Sequence, residues 1–93
     1  MFETENLIGK VVTIKLNSGI ELMATLNAYN KKSKIVNLNN PNTVVIMEDQ
    51  IAVVPFIYTG HTDEIIISLD HILAIVESTE KSAEDYLRLQ ETE

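Results

Sequence analysis

At 93 residues and 10.4 kDa, the chain has room for one domain with one modest core: surface scaling gives about 5,400 Å² exposed when folded against about 15,000 Å² unfolded. Hydrophobic residues make up 45%, cysteine is absent and the formal charge is -7, which excludes wholesale disorder, disulfides, thiol catalysis and cysteine-based zinc sites and disfavours extended binding to duplex DNA. No apolar run reaches the ~18 residues of a membrane helix, and the acidic start Met1-Phe2-Glu3-Thr4-Glu5 lacks the order of a signal peptide, so a cytoplasmic protein without membrane contact is expected.

Taken in chain order, residues 10–16 come first. Val12, Ile14 and Leu16 alternate with Val11, Thr13 and Lys15, a period of two that predicts a half-buried strand. Asn17-Ser18-Gly19 is a three-residue turn with glycine where a positive φ is wanted. Alternation resumes with Ile20, Leu22, Ala24, Leu26 and Ala28 on one face and Glu21, Met23, Thr25 and Asn27 on the other. This predicts a hairpin whose long second strand bends to serve two faces of a barrel.

Residues 29–34, Tyr-Asn-Lys-Lys-Ser-Lys, read as a polar loop, and Ile35 to Leu38 as a strand. Asn39-Asn40-Pro41-Asn42 is a breaker cluster. Thr43 to Met47 is strand-like, Glu48-Asp49-Gln50 turns the chain, and Ile51 to Thr59 is an apolar run whose Pro55 marks a bulge or an unpaired stretch. Residues 64–69 and 72–76 are two further apolar runs separated by Asp70-His71. These late strands barely alternate. A strand with one wet face should alternate, so they are expected to need cover on both sides, the second side from another chain. Beyond Ser78 the chain turns acidic: residues 77–93 carry 6 acids and 2 bases. Ser82-Ala83-Glu84-Asp85 resembles an N-cap followed by acids. A helix of about three turns is expected, with Ala83, Tyr86, Leu87 and Gln90 sharing a face.

No catalytic constellation stands out. His61 with Asp63, and Asp70 with His71, occupy turns. Neighbours on a strand point to opposite faces, and two separated histidines are too few for a metal site. The chain is read as a non-enzyme without cofactor. More informative are Lys31, Lys32 and Lys34, three of only seven basic residues in an acidic protein. Copies of such a loop gathered around an oligomer axis form a positive collar for phosphate. Tyr29 beside it is either a stacking face for an RNA base or an edge-of-core aromatic.

Residues 7–26, LIGKVVTIKLNSGIELMATL, resemble the first motif of the Sm-like (Lsm) proteins. Leu7, Gly9, Lys10, Gly19 and Leu26 match it, and Ala24 stands where the family usually has a glycine. Residues 65–76, IIISLDHILAIV, look like the second motif. The resemblance covers most of residues 7–76. It implies an all-β, five-stranded, strongly bent antiparallel barrel, here residues 1–77; the family usually begins with an N-terminal helix, whereas the short acidic helix or tail expected here, residues 78–93, is C-terminal. It also implies a homo-oligomeric ring of five to seven subunits, closed by strand pairing between neighbours, that binds single-stranded RNA at its pore. In the loop where the family carries base-reading residues this chain has Asn30, Lys32, Ser33 and Lys34, and the family's Arg-Gly is Ser68-Leu69. That chemistry suits phosphate contact better than base readout. The expected site is therefore Lys31, Lys32 and Lys34 on phosphate, with Tyr29 or Asn30 supporting. The alternative is a homo-oligomeric protein-interaction module that binds no nucleic acid.

Overall fold

The first hairpin forms as the alternation requires. In the computed structural model, which describes residues 4–91, strands β1 (Val11–Leu16) and β2 (Glu21–Asn30) pair antiparallel, with Ile14 opposite Leu22. Gly19 takes φ +96°, and the Leu16 N–H donates to the Ile20 carbonyl (2.8 Å), closing the three-residue turn. A 3-10 turn, Thr4–Leu7, precedes β1. Val12, Ile14, Leu16, Leu22, Ala24 and Leu26 fill the core with Val36, Leu38 and Ile75. Ile20 and Ala28, at the ends of the same face, are exposed.

β3 (Ile35–Met47) is thirteen residues long and continues through the Asn39–Asn42 segment with a kink at Asn40 rather than a break, a correction to the break expected there. Local breakers are overridden because each awkward group finds a partner. Asn40 sits at φ 49°, and its amide donates to the Thr62 carbonyl (2.6 Å) while its side-chain oxygen accepts from the Thr62 hydroxyl (2.9 Å). Pro41, fully buried, has no N–H to satisfy, and its carbonyl accepts from Phe56 (3.1 Å).

Six strands stand where five were expected. β4 (Gln50–Pro55) pairs with the second half of β3, and β5 (Ile65–Ser68) with its first half, Ile35–Leu38. Both lie on the same side of β3, so they are one strand interrupted by the excursion of residues 56–64. The interruption follows Pro55, which cannot donate to a ladder. A 3-10 turn, Leu69–His71, leads to β6 (Ile72–Glu77), which pairs with β1. The path across the sheet is β4-β3-β2-β1-β6, with β5 beside β3. Register shifts between β2 and β3, with the extra residue in β3 between Asn39 and Asn42 and in β2 between Leu26 and Ala28, mark where the ribbon bends.

Helix α1 (Glu80–Glu91) begins earlier than expected. Its cap is Thr79, whose hydroxyl accepts from the Ser82 N–H (3.3 Å), and not Ser82. Ala83 and Tyr86 lie on the outer face of the sheet against Val11, Met23, Val44 and Val53. Leu87 instead faces solvent. The side chain of Gln90 lies outside the described residues. Val11 and Met23, assigned to a wet face by alternation alone, are thus buried. Tyr86 is 1% exposed, and its hydroxyl donates at the β3 kink, to the carbonyls of Asn40 (2.7 Å) and Asn39 (3.1 Å). Burial raises its phenol above the ordinary value, and hydrogen bonding with Thr25 opposes this.

Candidate functional site

Three loops meet at one end of the barrel. β2 continues through Tyr29 and Asn30, which pair with Val36 and Ile35, so these two residues are strand and not loop. The Asn30 side-chain oxygen accepts the Ser33 N–H (3.0 Å), an Asx turn that closes residues 31–34. Lys34 adopts φ 58°, and its carbonyl accepts from the Leu69 N–H (2.8 Å). That bond ties the lysine loop to the 3-10 turn. On the other side of the turn, the Asn17 N–H donates to the His71 carbonyl (2.9 Å) and its side-chain amide to the Asp70 carbonyl (2.7 Å).

The lysines of this loop differ from the other cations of the chain. Lys10 pairs with Glu77 (3.7 Å), Lys15 with Glu21 (3.9 Å), and Lys81 and Arg88 both with Asp85 (3.4 and 3.3 Å). The side chains of these pairs are all more than two-fifths exposed, so each pair is worth under about 1 kcal/mol. Lys31, Lys32 and Lys34 are exposed, and among the described residues no carboxylate pairs with any of them. The structure therefore presents three unneutralised positive charges on a tethered four-residue loop. Tyr29 is partly buried and packs on the barrel core, the edge-of-core position. Asn30 is exposed and spends its side-chain oxygen on the turn.

Beside the 3-10 turn lies a hollow of about 290 Å³ lined by Leu16, Asn17, Ser18, Phe56, Ile67 and His71. Sequence reasoning did not connect these residues. Phe56 reads as part of an apolar run, and only the excursion after Pro55 carries it to the end of the first hairpin. A polar ladder on the outer face also escaped notice. The Asn27 side-chain amide donates to Asn37 (3.3 Å) and to Asn39, and the Asn37 amide to Glu64 (3.1 Å). Period-two spacing of asparagines at 37 and 39 is the signal that could have shown it.

The acid–histidine candidates do not converge. His61 and Asp63 are exposed on the excursion, and Asp70 and His71 are consecutive in an exposed turn. Among the described residues no three potential metal ligands cluster, and no helix is long and apolar enough to cross a membrane.

No family model and no curated protein matches the sequence. Solved structures do match. A heptameric archaeal Sm protein superposes at TM-score 0.56 with 16% identity, over 80% of this chain and 93% of that one. The P. aerophilum SmAP1 heptamer gives 0.55 with 17% identity, over 84% and 97%. A chain of the NatC complex bound to CoA gives 0.55 with 12% identity, over 90% and 95%. The fold of this chain is that of the Sm proteins.

Proposed function

We propose that this Sm-like chain assembles into a homo-oligomeric ring and binds single-stranded RNA, chiefly through phosphate contacts from Lys31, Lys32 and Lys34. The observation that carries the reading is the unpaired state of those lysines on a loop pinned by the Lys34–Leu69 hydrogen bond. An unneutralised, positioned cation is what phosphate recognition needs. Repetition of the loop around a ring multiplies the charge and overcomes the acidity of the chain. Asn30 supplies a further polar contact, and Tyr29 shapes the strand end from which the loop springs. No catalysis is part of this reading.

Ring assembly has separate support. Ile66 on β5 is 60% exposed, and Leu73 and Val76 on β6 are 70% and 55% exposed. Among the described residues no strand covers the outer edge of either. Apolar side chains on two open edges favour the pairing of β5 with β6 of a neighbour, head to tail, which closes a ring. The surface of the chain, 6419 Å², exceeds by about 1,000 Å² that of a compact monomer of its mass. Two ring neighbours at about 800 Å² buried per partner absorb that excess.

The test is fluorescence anisotropy with oligo-U, oligo-A and mixed single strands across a salt series, on the native chain and on a Lys31→Ala/Lys32→Ala/Lys34→Ala variant. The native protein should bind all three with similar affinity. The variant should bind on the order of a hundredfold more weakly at about 50 mM salt, with the salt slope flattened by about 0.7 per lost contact. Unchanged affinity and slope would sink the RNA reading. Leu73→Glu should break the ring into smaller species in sedimentation; an unchanged mass would sink the ring.

A second reading, a protein-interaction module without nucleic acid, is favoured by one specific likeness: a chain of the NatC complex covers more of this chain than either archaeal neighbour described above. Absence of RNA binding with the assembled mass retained would select it.

A further inference from the structure

We propose that β4 is a self-pairing edge, through which two copies of the chain join across a two-fold axis passing through Ala52. The argument starts at the hairpin turn. Glu48 and Asp49 both take positive φ (49° and 69°), the two-residue type I′ turn, so the flanking Met47 and Gln50 form a hydrogen-bonded pair. Antiparallel alternation then directs the backbone groups of Gln50, Ala52 and Val54 to β3, and those of Ile51 and Val53 outward. Pro55 comes next on the outward side and has no N–H to offer. Among the described residues no strand lies beyond this edge.

The edge lacks the usual protection. Between Gln50 and Pro55 there is no charge and no proline, and the residues are Ile-Ala-Val-Val. Ile51 is 73% exposed, and Ile46 opposite it is 77% exposed. Two residues along, Val44 and Val53 pack against Tyr86 of α1, so Ile46 and Ile51 continue the same apolar face past the helix. A groove of about 690 Å³ lies there between β4 and α1, walled by Ile51, Val53, Tyr86 and Leu89.

A second copy of β4 fits this edge in one register. Residues facing each other across a pair point to the same face, so the sum of their numbers is even. Centring on Ala52 sets Ile51 against Val53 of the second copy, and Val53 against its Ile51. All four outward N–H groups and carbonyls of these positions are then satisfied. Centring on Val53 instead sets Ile51 against a proline, which leaves both Ile51 carbonyls without a donor. In the favoured register, Ile51 and Val53 of the second copy lie on the α1 side, at the groove. The charge pattern agrees. Asp49 faces Pro55 of the second copy, so the two acidic tips stand about 20 Å apart at about 3.4 Å per residue, more than two Debye lengths in physiological salt. The pairing uses Gln50–Pro55 and no residue of β5, β6 or the lysine loop, so it is proposed independently of the ring.

The chain has no cysteine, which makes the test clean. In the proposed pairing Ala52 faces its own copy in a non-hydrogen-bonded pair, at about 4.5 Å between Cα atoms, inside disulfide range. Ala52→Cys, oxidised in solution, should convert most of the protein to a disulfide dimer on a denaturing gel. Gln50→Cys should not, because four residues of offset separate the two copies of position 50 by about 13 Å. Adding Ile51→Lys to Ala52→Cys should abolish the crosslink while the far-UV circular dichroism spectrum of the folded chain stays unchanged, and the triple lysine variant of the RNA test should leave it intact. No dimer from Ala52→Cys, equal dimer from Gln50→Cys, or a crosslink indifferent to Ile51→Lys would each overturn the proposal. None of these outcomes depends on RNA.

Discussion

Tyr86→Phe isolates one hydrogen-bonding group on which the shape of β3 depends. The hydroxyl is buried and donates at the kink, 2.7 Å from the Asn40 carbonyl and 3.1 Å from that of Asn39. Removing it leaves the ring packed against Val11, Met23 and Val53, so no cavity larger than an oxygen atom opens. What is lost is the hydroxyl's donation, shared between two carbonyls, and its hydrogen bonding with Thr25. Such a loss costs about 1–2 kcal/mol. A domain of this size shifts its Tm by about 4–8 °C per kcal/mol, so the variant should melt roughly 5–15 °C lower. The assay is thermal unfolding by circular dichroism at one fixed protein concentration, since assembly makes Tm concentration-dependent. A shift under about 2 °C would refute the reasoning and show that α1 does not hold the kink. The consequence reaches the candidate site, because the kink sets the angle between the half of β3 that leads from the lysine loop and the half that pairs with β4.

Two further predictions concern the same frame. Because burial raises the Tyr86 phenol above its unfolded value, the stabilisation from keeping it neutral is full below about pH 10 and is lost as pH rises through the folded value; Tyr86→Phe should flatten the fall of Tm in alkali, and an equally steep fall in both proteins would count against it. At the β3–β4 turn, Glu48 and Asp49 hold left-handed conformations that asparagine and glycine adopt at less cost. Glu48→Asn with Asp49→Gly should therefore raise Tm by about 2–6 °C, worth roughly 0.5–1 kcal/mol, and a lower Tm would refute the turn assignment.

The first hairpin was legible from residues alone, because Val12, Ile14 and Leu16 against Leu22, Ala24 and Leu26 alternate with a period only a strand has, and Gly19 marks the turn. The acidic helix after Ser78 and the lysine loop were legible for similarly local reasons: period, composition and charge belong to neighbours in the chain; the bent antiparallel barrel was legible through the resemblance of residues 7–26 and 65–76 to the Sm-like motifs. Tertiary structure alone decided the rest. Residues 39–42 read as a break because asparagine and proline weaken an isolated strand, yet β3 passes through them once Thr62, Phe56 and Tyr86, between fifteen and forty-seven residues away, supply partners. The same holds for Val11 and Met23, polar-face positions by alternation and buried only because α1 docks there. It holds for the lysine loop too, whose residues are evident in the sequence while its tether to Leu69 is not. Local patterns fix which conformation each segment prefers; which buried donor meets which acceptor is settled only when distant segments share one core.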